Sequence, residues 1–99
     1  MTIKEMFVKA HSLPVDEYGL FKLNGHEILH VYHSGTQINV IDGDDVIYNI
    51  IDYQNKFDIV PVENGRSRWE SAIPCKPDTQ SAMLPEKILD AFIAAGVLS

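Results

Sequence analysis

Residues 24–32, Asn-Gly-His-Glu-Ile-Leu-His-Val-Tyr, decide how this chain folds, because they are compatible with two different structures. The part from His26 to His30 fits the zinc-hydrolase pattern H-E-x-x-H, which requires a helix. Asn24-Gly25 is instead a hairpin signal, since both central residues of a type I′ turn need positive φ. A helix would bring the Cβ atoms of His26 and His30 to about 5–6 Å. A strand would hold the two residues roughly 13 Å apart, too far to share one ion.

We expect the strand, because the segment is short and rich in residues of low helix propensity. Turn signals also recur about every ten residues, which is typical of an antiparallel meander. The signals are Asn24-Gly25, Ser34-Gly35, Asp42-Gly43-Asp44, Gln54-Asn55 and Asn64-Gly65. The implied strands are roughly 18–23, 26–33, 36–41, 46–53, 57–62 and 66–73. The fourth is apolar on both faces and is predicted to be central, and Pro61 predicts a bulge or an edge in the fifth.

A helix is predicted at each end of the meander. Thr2 and Glu5 form a capping box, and an apolar stripe at helical spacing follows it. That stripe consists of Ile3, Met6, Phe7 and Ala10. Near the other end, Pro85 suits the first position of a helix and Gly96 its C-terminal cap. The stripe predicted to be buried there consists of Ile88, Leu89, Phe92 and Ile93.

The predicted fold class is therefore α+β: an N-terminal helix, an antiparallel meander of about five or six strands, and a C-terminal helix packed on the sheet. Residues 1–99 are expected to form a single domain. No apolar run approaches the roughly 20 residues that span a bilayer, and the N-terminus lacks a secretory signal. Cys75 is the one cysteine, which favours a reducing cytoplasm.

The net charge of −6 is concentrated in residues 41–64, which contain six acidic residues and only one basic residue, Lys56. The candidate partner-binding residues are Asp42, Asp44, Asp45, Asp52, Asp58 and Glu63. Direct nucleic-acid binding is disfavoured, because it needs clustered Lys and Arg. An acidic surface would instead attract a protein with a basic surface, such as a nucleic-acid-handling protein. The alternative is a solvated face that keeps the protein soluble.

Other patterns leave alternatives open. Arg66 and Arg68 would clamp a phosphate or carboxylate, or pair with acids across the sheet. Residues 42–45 lack the distal Glu of an EF-hand loop, so a hairpin turn explains them better than a calcium site. No phosphate loop, nucleophile elbow or Cys-x-x-Cys is present, and no catalytic set, metal or cofactor is predicted.

We therefore expect a small, acidic, non-enzymatic binding protein that inhibits or modulates a larger protein partner. In size and charge it is similar in type to immunity proteins and to phage-encoded inhibitors of bacterial defence nucleases, an analogy without a shared motif. One alternative is a zinc hydrolase with His26 and His30 as ligands and Glu27 as base. Another is a small-molecule binder on the sheet face near His26, His30 and Arg68. A free sheet edge would also allow a homodimer.

Overall fold

The computed structural model describes residues 1–17, 19–22, 28–31 and 37–98, and it confirms the predicted α+β architecture. The two helices are α1 (Ile3–His11) and α2 (Glu86–Ala94). The strands are β1 (Leu20–Lys22), β2 (Ile28–Val31), β3 (Gln37–Asp42), β4 (Asp45–Tyr53), β5 (Lys56–Glu63), β6 (Arg66–Ser67) and β7 (Ile73–Cys75). The predicted turns at Asn24-Gly25 and Ser34-Gly35 lie outside the described residues.

Helix α1 begins with the predicted capping box. The Glu5 amide donates to Thr2 Oγ1 at 3.2 Å, and the Thr2 amide donates to Glu5 Oε1 at 3.3 Å. These bonds satisfy donors that the first helical turn leaves without intrahelical partners. The predicted apolar stripe is buried as expected, and its members are Ile3, Met6, Phe7 and Ala10.

Helix α2 begins one residue later than predicted, with Pro85 as its N-cap, and it ends in a Schellman motif. Gly96 has φ +78°, the Gly96 amide donates to the Ile93 carbonyl, and the Val97 amide donates to the Phe92 carbonyl. The predicted burial of Ile93 is wrong, since its side chain is 50% exposed. Ile93 follows Ile88 by five residues, which places it about 140° around the helix from the buried stripe.

The strands form one antiparallel sheet in the order β1-β2-β3-β4-β5, with β6 and β7 both on the outer edge of β5. Strand β4 is central, as predicted. Both helices cover the same face, because their buried side chains share one apolar cluster with residues of the central strands. Phe7 and Phe57 meet edge to face in that cluster, with ring centroids 5.2 Å apart. The buried strand residues of the cluster are Ile38, Val40, Ile50, Phe57, Ile59 and Cys75.

The single strand predicted at residues 66–73 is wrong. Strand β6 ends at Ser67, a turn of 3₁₀ helix covers Trp69–Ser71, and β7 then pairs with residues 57–59 of β5. Pro61 lies where the outer ladder is interrupted, between the residues that pair with β7 and those that pair with β6. Pro61 has no amide hydrogen to donate, so it contributes there through its carbonyl, which accepts from the Arg68 amide at 2.7 Å.

The two α-helices of the described chain span nine residues each, and neither has the length and apolar character needed to cross a membrane.

Candidate functional site

Two hairpin turns meet at one end of the central strands. Tyr48 of β4 lies opposite Pro61 of β5, so the β3–β4 turn at residues 43–44 and the β5–β6 turn at residues 64–65 lie at the same end of the sheet. Both turns use left-handed backbone: Gly43 has φ +65°, and Asn64 and Gly65 have φ +51° and +76°. Such angles suit tight connections between twisted strands. The predicted turns at both places are confirmed.

A cavity of about 440 Å³ opens between these turns, and we call it the turn cleft. It is lined by residues 44–47 on one side and by Val62, Asn64 and Gly65 on the other. The register of β3 and β4 shifts here, because Val40 pairs with Tyr48 while Ile41 pairs with Val46. Ile47 is therefore an extra residue, and a bulge of this kind bends the strand and redirects its side chains. The cleft combines an apolar floor with a polar rim.

The structure divides the six predicted partner-binding residues between the two ends of the sheet. Asp42, Asp44, Asp45 and Glu63 lie at or beside the turns that form the cleft. Asp52 and Asp58 lie towards the opposite end, next to the β4–β5 turn at residues 54–55.

Asp52 and Asp58 are also separated from each other. Asp52 lies opposite Phe57 in the register, and Asp58 lies opposite Ile51. Adjacent strand residues alternate between faces, so Asp52 and Asp58 belong to opposite faces of the sheet. The six acids thus do not form one continuous surface.

Three of the six acidic residues also form ion pairs with basic residues of the same chain. Lys87 Nζ lies 3.0 Å from Asp42 Oδ2, and Lys56 Nζ lies 3.7 Å from Asp58 Oδ2. Arg68 Nε lies 3.6 Å from Glu63 Oε2. Each pair has at least one exposed member, and exposed ion pairs contribute little to stability, about 0–1 kcal/mol each, but they offset charge locally.

The carboxylates of Asp44 and Asp45 differ from these three. Both residues are exposed, and neither has an ion-pair partner within the described part of the chain. Asp44 lies in the β3–β4 turn and Asp45 begins β4. Two carboxylates that line the cleft therefore have no ion-pair partner among the described residues.

A buried polar row crosses the sheet face opposite the helices, and sequence reasoning missed it. Asn39 and Asn49 are only 5% and 7% exposed, and they lie opposite each other in β3 and β4. Asn49 Nδ2 donates to Asn39 Oδ1 at 2.7 Å, and Ser67 Oγ donates to Asn49 Oδ1 at 2.7 Å. Gln37 Nε2 also donates to Asn39 Oδ1, at 2.9 Å. The available signal was an Asn in the middle of each of two apolar strand patterns.

The segment that carries H-E-x-x-H is a strand wherever it is described. Residues 28–31 form β2, and His30 lies opposite Leu20 in β1 and Asn39 in β3. The predicted strand is confirmed there, whereas His26 and Glu27 lie outside the described residues. The helical turn that a zinc site would need does not pass through residues 28–31. Within the described chain, no group of three His, Cys, Asp or Glu side chains is placed to hold a metal ion.

Arg68 forms ion pairs with acidic residues, which was the second of the two alternatives predicted for Arg66 and Arg68. Besides its contact with Glu63, its Nη1 atom lies 3.7 Å from Glu70 Oε1. Arg66 is exposed at the start of β6. Arg68 is thus engaged by acidic residues of its own chain.

Cys75 is a buried thiol in β7. Burial raises its pKa, and the nearby Asp58 carboxylate adds to that effect. The thiolate is the nucleophilic form of cysteine, so a raised pKa makes the side chain less reactive at neutral pH.

The chain matches no protein-family model, no curated protein and no solved structure. The site is therefore interpreted from its own geometry.

Proposed function

We propose that this protein is a non-enzymatic binding protein that inhibits or modulates a larger partner with a basic surface. The observation that carries the proposal is the contrast among the acidic residues. Asp42, Asp58 and Glu63 each lie within ion-pair distance of a lysine or arginine of the same chain, whereas Asp44 and Asp45 stand exposed on the rim of the turn cleft. An exposed, uncompensated pair of carboxylates attracts a positively charged surface.

The packing of the strands beneath the site favours a role in partner binding over one in catalysis. The central strands are held on one face by the apolar cluster and on the other by the Asn39–Asn49 pair. A surface on such a rigid support loses little conformational entropy when a partner docks. Partners that present basic surfaces include nucleic-acid-handling proteins, and the proposed compartment is the cytoplasm, which suits a single unpaired cysteine.

The test begins with affinity capture from the native host at low and at high salt, followed by identification of the captured proteins. The binding of each purified partner is then measured by calorimetry with the parent chain and with the double variant Asp44→Asn/Asp45→Asn. We expect the double variant to bind at least about tenfold more weakly and to show a smaller salt dependence, because screening acts on exposed charges.

The matched control is Asp78→Asn, which removes a negative charge from an exposed position in the segment before Ser81. It is expected to leave the dissociation constant within about twofold of the parent value, since it lies away from the cleft. If the double variant binds every captured partner as tightly as the parent chain does, the acidic rim is not the binding surface and the proposal fails.

A further inference from the structure

We infer that the turn cleft receives an arginine side chain of the partner, an inference that rests on the proposed function and names the chemistry of its contact. The cleft has two distinct parts. Val46, Ile47 and Val62 are half-buried and supply an apolar floor, while Asp44 and Asp45 supply charge at the mouth. The cavity of about 440 Å³ is open and large enough for one long side chain with accompanying water.

This lining fits a side chain that is apolar along its length and cationic at its end. Lysine and arginine both bury an aliphatic stem on apolar surface while the charged head stays near water. An anionic ligand would be repelled by the rim. A purely apolar side chain would leave the two carboxylates without a partner.

Arginine fits better than lysine for two reasons. Its planar guanidinium presents five donors in a fixed fork, so it can bond a carboxylate through two parallel hydrogen bonds. It is also more weakly hydrated than an ammonium group, so bringing it against Val46 and Val62 costs less desolvation. A divalent metal is a poorer fit, because the described residues offer no third acidic or histidine ligand beside Asp44 and Asp45.

Neither of the two arginines just after the cleft residues lines the cleft. Arg66 comes directly after Gly65 and is exposed at the start of β6. Arg68 follows Gly65 closely in the chain, but its guanidinium is engaged by Glu63 and Glu70. It holds the segment after β6 against the end of β5, since its amide also bonds the Pro61 carbonyl. The guanidinium that matches the cleft is therefore expected from another molecule.

The experiment is a titration of the isotope-labelled full chain, followed by two-dimensional NMR, with three blocked tripeptides of sequence Gly-X-Gly. X is arginine, lysine or citrulline, which has the shape of arginine without its charge. We expect the arginine peptide to shift the amide signals of residues 44–47 and 62–65, with saturation in the millimolar range. Lysine should bind at least about threefold more weakly, and citrulline should cause no saturable shift.

The variant Asp44→Asn/Asp45→Asn should lose the arginine response, while Asp78→Asn should keep it. Equal responses to arginine and citrulline, shifts confined to other residues, or no saturable shift with arginine would each overturn the inference. Its failure is distinguishable from failure of the proposed function. If the double variant weakens partner binding but the arginine peptide leaves residues 44–47 unshifted, the acidic rim binds the partner and the cleft does not accept arginine.

Discussion

The two faces of strands β3, β4 and β5 differ in the interactions that their buried side chains make. One face is covered by both helices and contributes Ile38, Val40 and Ile50 to a continuous apolar cluster. The other carries Asn39 and Asn49, which are almost as buried but are joined by hydrogen bonds. Apolar contacts are non-directional and tolerate small shifts of register, whereas a side-chain hydrogen bond between two strands is satisfied in one register.

The two faces therefore contribute to the fold in different ways. The helix-covered face supplies most of the burial that offsets chain entropy. The Asn face selects one alignment of β3 with β4, because a one-residue slip would separate Asn39 from Asn49 and leave their buried amides without those bonds. Correct alignment in turn places the β3–β4 turn beside the β5–β6 turn, where the cleft forms.

The largest effect is expected from a cavity in the helix-covered face. Phe92 is fully buried, and Phe92→Ala should lower the free energy of unfolding by about 3–5 kcal/mol. The measurement is urea unfolding followed by circular dichroism. Its matched control is Ile93→Ala, the next residue of α2 but half exposed, where a loss below about 1 kcal/mol is expected. Similar losses for both variants would contradict this assignment of the core.

An intermediate effect is expected on the Asn face. Asn49→Ala removes the amide that bonds both Asn39 and Ser67, and it should cost about 1–3 kcal/mol in the same unfolding experiment. Gln37→Ala should cost less, because Asn39 Oδ1 keeps its bond from Asn49. If Asn49→Ala were as stable as the parent chain, the buried row would not contribute to the fold.

A small effect on stability is expected at the turn cleft. Asp44→Asn/Asp45→Asn should change the free energy of unfolding by no more than about 0.5 kcal/mol, because both side chains are exposed and without ion pairs in the described chain. The same unfolding experiment measures it. A loss above about 1 kcal/mol would show that these carboxylates serve the fold, and it would weaken any inference drawn from their effect on binding.

The smallest effect is expected from the capping box, and it depends on pH. Hydrogen bonds from the Thr2 side chain and backbone lower the pKa of Glu5. The ionised carboxylate is thus the form that stabilises the folded state. Its contribution is present above the ordinary glutamate pKa of about 4.3 and is lost as the pH falls through the lowered value.

Thermal unfolding of the parent chain and of Glu5→Ala, followed from pH 7 down to about pH 3, tests this. The difference in midpoint should be greatest near neutral pH and should shrink on acidification. A difference that stays constant over this range would mean that the charge of Glu5 does not take part in the cap.

Local signals predicted much of the fold. The capping box at Thr2 and Glu5, the Schellman glycine at Gly96 and the turns at residues 43–44, 54–55 and 64–65 all act within a few residues, so their effects can be predicted without knowing the rest of the chain. The apolar character of both faces of β4 likewise predicted a central strand. The extended backbone of residues 28–31 followed from neighbouring turn signals and poor helix propensity.

The errors occurred where the outcome depends on distant residues. The chain leaves the ladder after Ser67 because Pro61 of the neighbouring strand cannot donate, and this is not visible within residues 66–73 themselves. Ile93 has the apolar character of the stripe, but the position of the sheet decides which side of α2 is covered. The candidate site shows the same limit, because a run of acids in the sequence does not reveal which ones meet a lysine or arginine.

By itself the sequence determined both α-helices, strands β3 to β5, the turns between them and the excess of negative charge, because these depend on backbone preference and composition. Only the tertiary structure decided that Asn39 meets Asn49, that Ile47 is an extra residue in β4, and that Asp44 and Asp45 are left without ion pairs beside a cleft. The physical reason is that strand register and ion pairing join residues far apart in the chain. Their energies therefore exist only once the whole sheet has assembled.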